Sequence, residues 1–440
     1  MDDINQGLTV TQLRWLNRAA WAALIVGFVY TVWRAPSIIQ TQTGDFVAYY
    51  GSALALAHGF DVGSLYIDTN FREIITHLGI NQRSIFFPNP PSIPALFLPF
   101  TLQPFQNAFL IWSLMNCGIA VVVVVLLVRL ASLSGAYRLI FIAIALNFQP
   151  FRSNISHGQI YIALSALLLL AWWCYRQQHA ARFGAVLGVM LITKVFAAHL
   201  WLLPLGMLLR RAWRVWMSGL AAIALVVAIS AAITGLPAWK TWLSTSLQRT
   251  SSELAQRSTT VRSIVSPAYQ SVHGTLGHLM TYDEQWNPNP MLRANGLAQP
   301  LSATLALAVT ALGVWLVRQR AAIQGAHADA VFASLASMSI VLFPYALDYM
   351  YAAAIVPLGL WVRWLQTGQS PKVHIGVLAG VVLVGAGYAA KSPALANGVL
   401  GVLAHLKVYG MLLLIGVTAW QVHRTQHQPQ ATLARAVQPQ

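Results

Sequence analysis

Acid is what this chain has least of. Eleven Asp and Glu stand among 440 residues, against 27 Lys and Arg. Charged residues of both signs make up 9% of the chain, where soluble domains carry about 25%. So little charge cannot clothe a water-soluble surface. The two cysteines, Cys117 and Cys174, both fall in apolar runs, which leaves no disulfide framework and no cysteine metal site. Gly-x-Gly-x-x-Gly, Walker and His-Glu-x-x-His motifs are absent. So is an Asp-x-Asp pair of the kind that holds a metal-bound nucleotide sugar. No cleavable signal is evident. The first apolar run, Trp15 to Trp33, lacks a small-residue cleavage site and is long enough to span, so it reads as a retained anchor.

What is present is apolar. Hydrophobic residues reach 57% and the mean hydropathy is +0.60. The fold class is an all-α polytopic membrane protein. The net charge of +16 does not point to nucleic acid. Its basic residues cluster in short loops between apolar runs: Arg176 and Arg182; Arg210, Arg211 and Arg214; Arg318 and Arg320. Those read as cytoplasmic anchors. Apolar runs recur from 92 to 421 with two long polar gaps, about 34–91 and 236–300. The gaps are expected outside the cytoplasm, carrying short interfacial helices. Residues 1–422 read as one transmembrane domain. The Gln- and Pro-rich stretch 423–440 reads as a disordered cytoplasmic tail. Two segments stay open. Residues 86–103 hold five prolines and read as re-entrant, or else Arg129 and Arg138 lie outside. Residues 183–209 read either as a hairpin with Lys194 at its outer turn or as one long helix with Lys194 mid-membrane.

On this topology eight acids lie outside: Asp45, Asp61, Asp68, Glu73, Glu253, Asp283, Glu284 and Asp348. A catalytic carboxylate among them faces away from ATP and nucleotide sugars, so any sugar donor there must be carried by lipid. Asp45 sits among Phe46, Tyr49 and Tyr50 just past the first span. It is either a general base or an N-cap for a helix beginning at Phe46. The stretch Asn147 to Gln159 brings Arg152, His157 and amides to one outer turn, groups that suit phosphate or sugar hydroxyls. Lys194 is an ammonium in an apolar run, costly unless it snorkels or pairs, and a lipid phosphate would be a natural partner. His199, just beyond it, reads as a satisfied helix histidine. Ser266 to Gly274 is polar and turn-rich, with Arg257 and Arg262 upstream. Asp348 is a lone carboxylate that could serve a site, pair with Lys194 or an Arg, or cap a helix.

These pieces, in this order, resemble the GT-C class of polyprenyl-phosphate-sugar-dependent glycosyltransferases. Within it the chain resembles glycosyltransferase family 87, whose members include a mannosyltransferase of phosphatidylinositol mannoside synthesis. The features that match are Asp45-Phe46 with Tyr49-Tyr50, Gly59, Leu65-Tyr66, Phe87-Pro88-Asn89-Pro90-Pro91, Pro99, Trp112, Gly158-Gln159, Lys194 with Arg210-Arg211, and Tyr269-Gln270-Ser271. The likeness spans about residues 40 to 365. It implies a GT-C fold of about twelve transmembrane helices, an active site at the outer membrane face and Asp45 as base. One departure is Phe343-Pro344 followed by Asp348-Tyr349, where many relatives carry histidines.

The expected protein is a multi-pass enzyme of a bacterial inner membrane. It moves a hexose such as mannose from a polyprenyl-phosphate donor to a lipid- or polymer-linked glycan, with inversion and without a metal or cofactor. Asp45 would be the base. Lys194, Arg152 and His157 would hold the donor phosphate. Tyr49, Tyr50, Gln159, Tyr269, Gln270, His273, Asp348 and Tyr349 would line the sugars. The rival reading is a secondary transporter or lipid flippase, which would also use scarce intramembrane charges and broken helices. A membrane scaffold whose outer loops bind a partner is the third.

Overall fold

The computed structural model describes residues 9–40, 44–82, 84–194, 196–252, 265–284, 287–319, 327–387, 392, 395 and 398–427. Seventeen α-helices run through the described residues, joined by turns and 3₁₀ segments, with isolated bridges as the β-pairing. The N-terminal part has α1 (Val10–Gln40), α2 (Gly44–Ala57), α3 (Asp68–His77) and α4 (Ser92–Phe97). Next come α5 (Phe105–Leu130), α6 (Gly135–Asn147), α7 (Gln149–His157), α8 (Tyr161–Arg176), α9 (Ala180–Lys194) and α10 (Leu209–Thr234). After α11 (Leu236–Ser252) and α12 (Val272–Met280) follow α13 (Asn295–Arg318), α14 (Ala328–Val341), α15 (Ile355–Leu365), α16 (Pro371–Gly385) and α17 (Leu406–His427).

Phe105–Leu130, Leu209–Thr234, Asn295–Arg318 and Val399–Gln426 are long and apolar enough to cross a membrane by length and composition. Shorter apolar helices cover Ser92–Leu102, Tyr161–Arg176, Ala328–Val341 and Pro371–Gly385. The outer surfaces of the long helices are apolar: Leu114, Val121, Leu220, Leu225 and Leu307 are all exposed. Water would penalise that surface, whereas hydrocarbon would not.

The centre of the bundle is α14. Every residue from Ala328 to Val341 is buried. Its sequence, rich in Ala and Ser, keeps it thin, so neighbours close in from all sides. They are α13, α15, α17 and the 3₁₀ turns of Ala198–Gly206. Its one acid, Asp329, lies in the first turn, where the helix dipole favours negative charge. The carboxylate meets Arg363 at 2.7 Å and Arg176 at 3.6 Å, and accepts the Trp172 indole N–H at 2.8 Å. Arg363 also sits 5.7 Å from the Trp172 ring centroid. One acid thus gathers the ends of α8, α14 and α15.

The stretch 183–209 is not one long helix. The α-helix stops at Lys194, Ala197 takes a left-handed φ of 62°, and 3₁₀ turns follow from Ala198 to Gly206. His199 accordingly lies in those turns, its Nε2 3.3 Å from Thr310 Oγ1. Helix α9 lies flush on α10 because of its glycines. A Cβ on Gly184 would come 2.0 Å from the Val215 carbonyl oxygen, and one on Gly188 2.3 Å from that of Gly219.

The polar gaps hold short helices, as expected. In the first, Asp61 caps a 3₁₀ turn by accepting from Gly63 N and Ser64 N. In the second, α11 packs over that turn, and the Trp242 indole donates to Pro88 O at 3.3 Å. Glu253, Arg257 and Arg262 lie outside the described residues. The last helix among the described residues runs to His427, some way into the stretch read as tail, and the remainder of that stretch is outside the described residues.

The α9–α10 crossing gives a direct test. Gly184→Ala should force the two backbones apart at a cost of about 1–3 kcal/mol. Gly118→Ala on α5, where an added Cβ meets nothing within 4 Å, should be neutral or slightly stabilising. Thermal unfolding of the detergent-solubilised protein should separate the two variants.

Candidate functional site

Helix α2 carries the first candidate. It begins at Gly44, so Asp45 lies inside the first turn and is not the cap before Phe46. Asp45 and Tyr49 are four residues apart and share one face. Phe46 and Tyr50 form the other. Their rings lie 6.0 Å apart, and both pack on Phe105, at 5.6 and 5.4 Å. Phe46 also meets Phe97 at 6.2 Å and Phe109 at 5.4 Å. The Tyr50 hydroxyl donates to Gln103 O at 2.8 Å. This aromatic wedge sets the rotation of α2 and so aims Asp45 and Tyr49.

The α7–α8 junction supplies the next groups. Gly158 ends α7 in the left-handed region, φ 63°, ψ 31°. A Cβ there would lie 2.5 Å from Phe46 Cβ, so only glycine lets this turn close on α2. The Gly158 carbonyl accepts the Trp112 indole N–H at 2.8 Å. Asn154 braces the same turn. Its amide nitrogen faces Gln159 O at 2.9 Å and its amide oxygen faces Tyr161 N at 3.2 Å. Gln159 is thereby presented to α2, and its Oε1 accepts the Tyr49 hydroxyl in the buried interior. Tyr161, the first residue of α8, stacks on Tyr349 at 5.9 Å, and His157 lies 5.4 Å from the same ring.

Lys194 arrives from the broken end of α9. A cation suits a helix C-terminus. Its ammonium donates to Asn89 Oδ1 and sits 5.1 Å from the Tyr49 ring centroid. Asn89 is itself fixed. Its amide donates to Phe86 O at 2.7 Å, and its carbonyl accepts the Tyr66 hydroxyl at 2.8 Å. The proline-rich Phe87–Pro91 stretch thus delivers one neutral acceptor to Lys194.

The Asp45 carboxylate acts electrostatically on Tyr49, Tyr161, Tyr349 and Lys194. Tyr269 in turn acts on Tyr349. One acid, one ammonium and a set of tyrosines therefore share one place, with Gln159, Asn89 and His157 around them. No ion pair among the described residues joins Asp45 to Lys194. The acid polarises, the ammonium can take an anion, and the rings and amides suit a polyol.

Other candidates are engaged elsewhere. Arg152 Nη2 donates to Leu146 O at 2.8 Å. The buried Gln270 amide donates to Pro267 O at 3.0 Å and Ala404 O at 2.7 Å. His273 Nδ1 lies 2.9 Å from Ser302 Oγ. The Asn147 amide goes to Ala23 O at 2.9 Å and so ties α6 to α1. Tyr269 is buried, with its backbone bridged to Leu347. Asp348 pairs with Lys407 at 3.2 Å, and among the described residues no ion pair joins it to Lys194 or an Arg. Three groups carried no role in the sequence reading: Tyr161, Asn89 and Lys407. Lys407 had a signal, because it is an ammonium in an apolar run, the same anomaly that marked Lys194. Tyr161 had none.

Residues 87–347 match the family model for glycosyltransferase family 87. That is more than half of the chain. It takes in Asn89, Gln159, Tyr161 and Lys194, and leaves out Asp45 and Tyr49. No curated protein and no solved structure matches.

The turn at Gly158 is testable without knowing the chemistry. Gly158→Ala carries left-handed strain of about 1–2 kcal/mol and adds the clash with Phe46. The variant should melt below the parent protein, and its loss should exceed the strain alone. A melting temperature equal to the parent's would show that the turn does not press on α2.

Proposed function

The chain belongs to glycosyltransferase family 87, and from that premise we propose that it moves a hexose from a polyprenyl-phosphate donor to a lipid- or polymer-linked glycan acceptor. The observation that carries the reading is the meeting of Asp45 and Lys194 among tyrosines without an ion pair between them. In this reading Asp45 takes the proton of the acceptor hydroxyl. The acceptor oxygen attacks the anomeric carbon as the bond from that carbon to the phosphate oxygen breaks, and the configuration inverts. Charge gathers on the departing polyprenyl phosphate, where the Lys194 ammonium offsets it. Asn89 keeps Lys194 in place through a bond to a neutral oxygen, so no carboxylate contact competes with the phosphate for the ammonium. Tyr49, held by Gln159, lies with Tyr161 and Tyr349 along the sugars, and His157 steadies Tyr349. Arg152, Gln270, His273 and Tyr50 then serve the frame of the site through their bonds to neighbouring groups. The mechanism asks nothing of a metal, because Lys194 meets the charge of the leaving group.

The same proposal takes the GT-C architecture with about twelve membrane passes, the shorter apolar helices supplying those beyond the four long ones. It places the site on the non-cytoplasmic face of a bacterial inner membrane, with mannose as the first donor sugar to try.

Asp45→Asn tests the base. Asparagine fits a helix start about as well as aspartate, so folding should survive. Turnover with a polyprenyl-phosphate sugar should fall by roughly 10²–10⁴-fold, mostly in kcat. Lys194→Ala should instead weaken donor binding. Near-normal turnover in a folded Asp45→Asn protein would sink the assignment. Turnover with a free nucleotide sugar, or a loss in EDTA that metal restores, would sink the donor and the metal-free mechanism. Movement of an intact lipid-linked sugar across vesicles without transfer would favour a transporter.

A further inference from the structure

Lys407 has no part in the mechanism above, yet its side chain is only 3% exposed. A buried ammonium needs partners. Its partners among the described residues include Asp348 Oδ1 at 3.2 Å, Val384 O at 2.8 Å and Ala386 O at 2.9 Å. The carbonyls belong to the last turn of α16 and the residue that follows it. A cation there satisfies oxygens that the helix cannot and meets the negative end of its dipole. Asp348 opens the 3₁₀ helix Asp348–Ala354, whose start carries no side-chain cap bond. A single side chain therefore ties the start of α17, the end of α16 and this 3₁₀ helix together.

The next residue is Tyr349, whose ring lies on Tyr161 and His157 and within the reach of the Asp45 charge. The chain before Asp348 is fixed from the other side. Gln270 N donates to Ala346 O at 2.6 Å, and Ser271 Oγ donates to Pro344 O at 2.8 Å. Just beyond, the Tyr351 hydroxyl donates to Gln270 O at 2.7 Å. Helices α7 and α8 pack on the same turn, and Lys407 is the side chain that reaches it from α17 and fixes its first residue.

We propose that Lys407 is a positioning residue: through Asp348 it holds Tyr349 against Tyr161 and His157 at the sugar site. Asp348 then acts on the substrate only by way of Tyr349. The proposal rests on the transferase reading for what Tyr349 touches, but not for the clasp itself.

The experiment uses the full chain in detergent and joins two readouts. Amide hydrogen exchange comes first. Lys407→Met should raise exchange in the segment 344–351 by tenfold or more and leave α14 unchanged. Kinetics come second. Lys407→Met should raise KM by about tenfold, with kcat changed less than threefold, as removal of a binding contact does. In a Tyr349→Ala background the same substitution should add less than threefold, because the effect runs through that ring. Lys407→Arg, which keeps the charge, should recover part of the loss. If Lys407→Met does not fold, Asp348→Asn supplies the same comparison and should move exchange and KM in the same direction. Unchanged exchange at 344–351 would overturn the proposal, as would loosening that spreads through α14. Effects of Lys407→Met and Tyr349→Ala that simply multiply would overturn it too. A parent protein that transfers no sugar from any polyprenyl-phosphate donor would defeat the transferase reading, and the exchange measurement would still judge the clasp.

Discussion

A charge taken out of water must be met by an opposite charge or by well-aimed dipoles, and this chain is built around that constraint. It has few acids, and three of them organise regions. Asp329 gathers Arg176, Arg363 and Trp172. Asp348 meets Lys407. Both meetings are closed, because the opposite charges are in contact. Asp45 and Lys194 differ. They act on each other through space, while the ammonium itself rests on the neutral Asn89. The two closed pairs have spent their attraction on the fold. On the proposed function, the open pair keeps it for the substrate.

The closed pairs also set where the open one lies. Helix α8 starts at Tyr161, in the site, and ends at Arg176, beside Asp329. Its 16 residues put about 24 Å between these two ends. A bilayer's hydrocarbon core is about 30 Å thick. Asp329 with its arginines and Asp45 with its tyrosines therefore stand near opposite ends of the bundle. Helix α9 returns along the same path, from Ala180 near the arginine end to Lys194 in the site, and α14 lies between as the buried pillar. Arg176, from one of the basic loops, lies at the first of these ends. The placement of Asp45 at the other follows from helix length and direction alone.

Much of this was legible in the residues. Apolar runs and basic loops marked the helices, because burial and lipid contact both need them. The break at Lys194 was legible as one of two options, because a lysine in an apolar run cannot be cheap. Asp45 and Tyr49 stood out by their spacing and their scarcity. What was not legible was who pairs with whom. Gln270 looks like a sugar ligand in sequence, yet its amide bonds two backbone carbonyls, one of them 134 residues away. Asp348 could have met any of several cations. The choice fell on Lys407, near the start of a helix that crosses α16 closely at Gly380 and Gly410. Such partners are fixed by tertiary approach, and no local pattern encodes them. Tyr161 illustrates the same limit: one aromatic among many at a helix start, it gains meaning only when Tyr349 stacks on it.

The helices that build the site are also the ones that fall short of a membrane's thickness. Helix α8 begins late because Gly158 to Ile160 turn the chain across α2. Helix α9 stops at Lys194 and gives way to 3₁₀ turns. The segment leading into α15 starts as the 3₁₀ helix at Asp348. Each break lies at the same end of the bundle, where Gln159 meets Tyr49 and Tyr161, Lys194 and Tyr349 come within the field of Asp45. Irregular backbone at such depth exposes polar groups and is tolerated where it lines a cavity or is buried in protein. The unbroken helices α5, α10 and α13 contribute none of these groups and have the length to cross. On the proposed function, the shortfall in long helices and the candidate site have one cause: a helix that ran on through this layer would carry its polar side chains past Asp45.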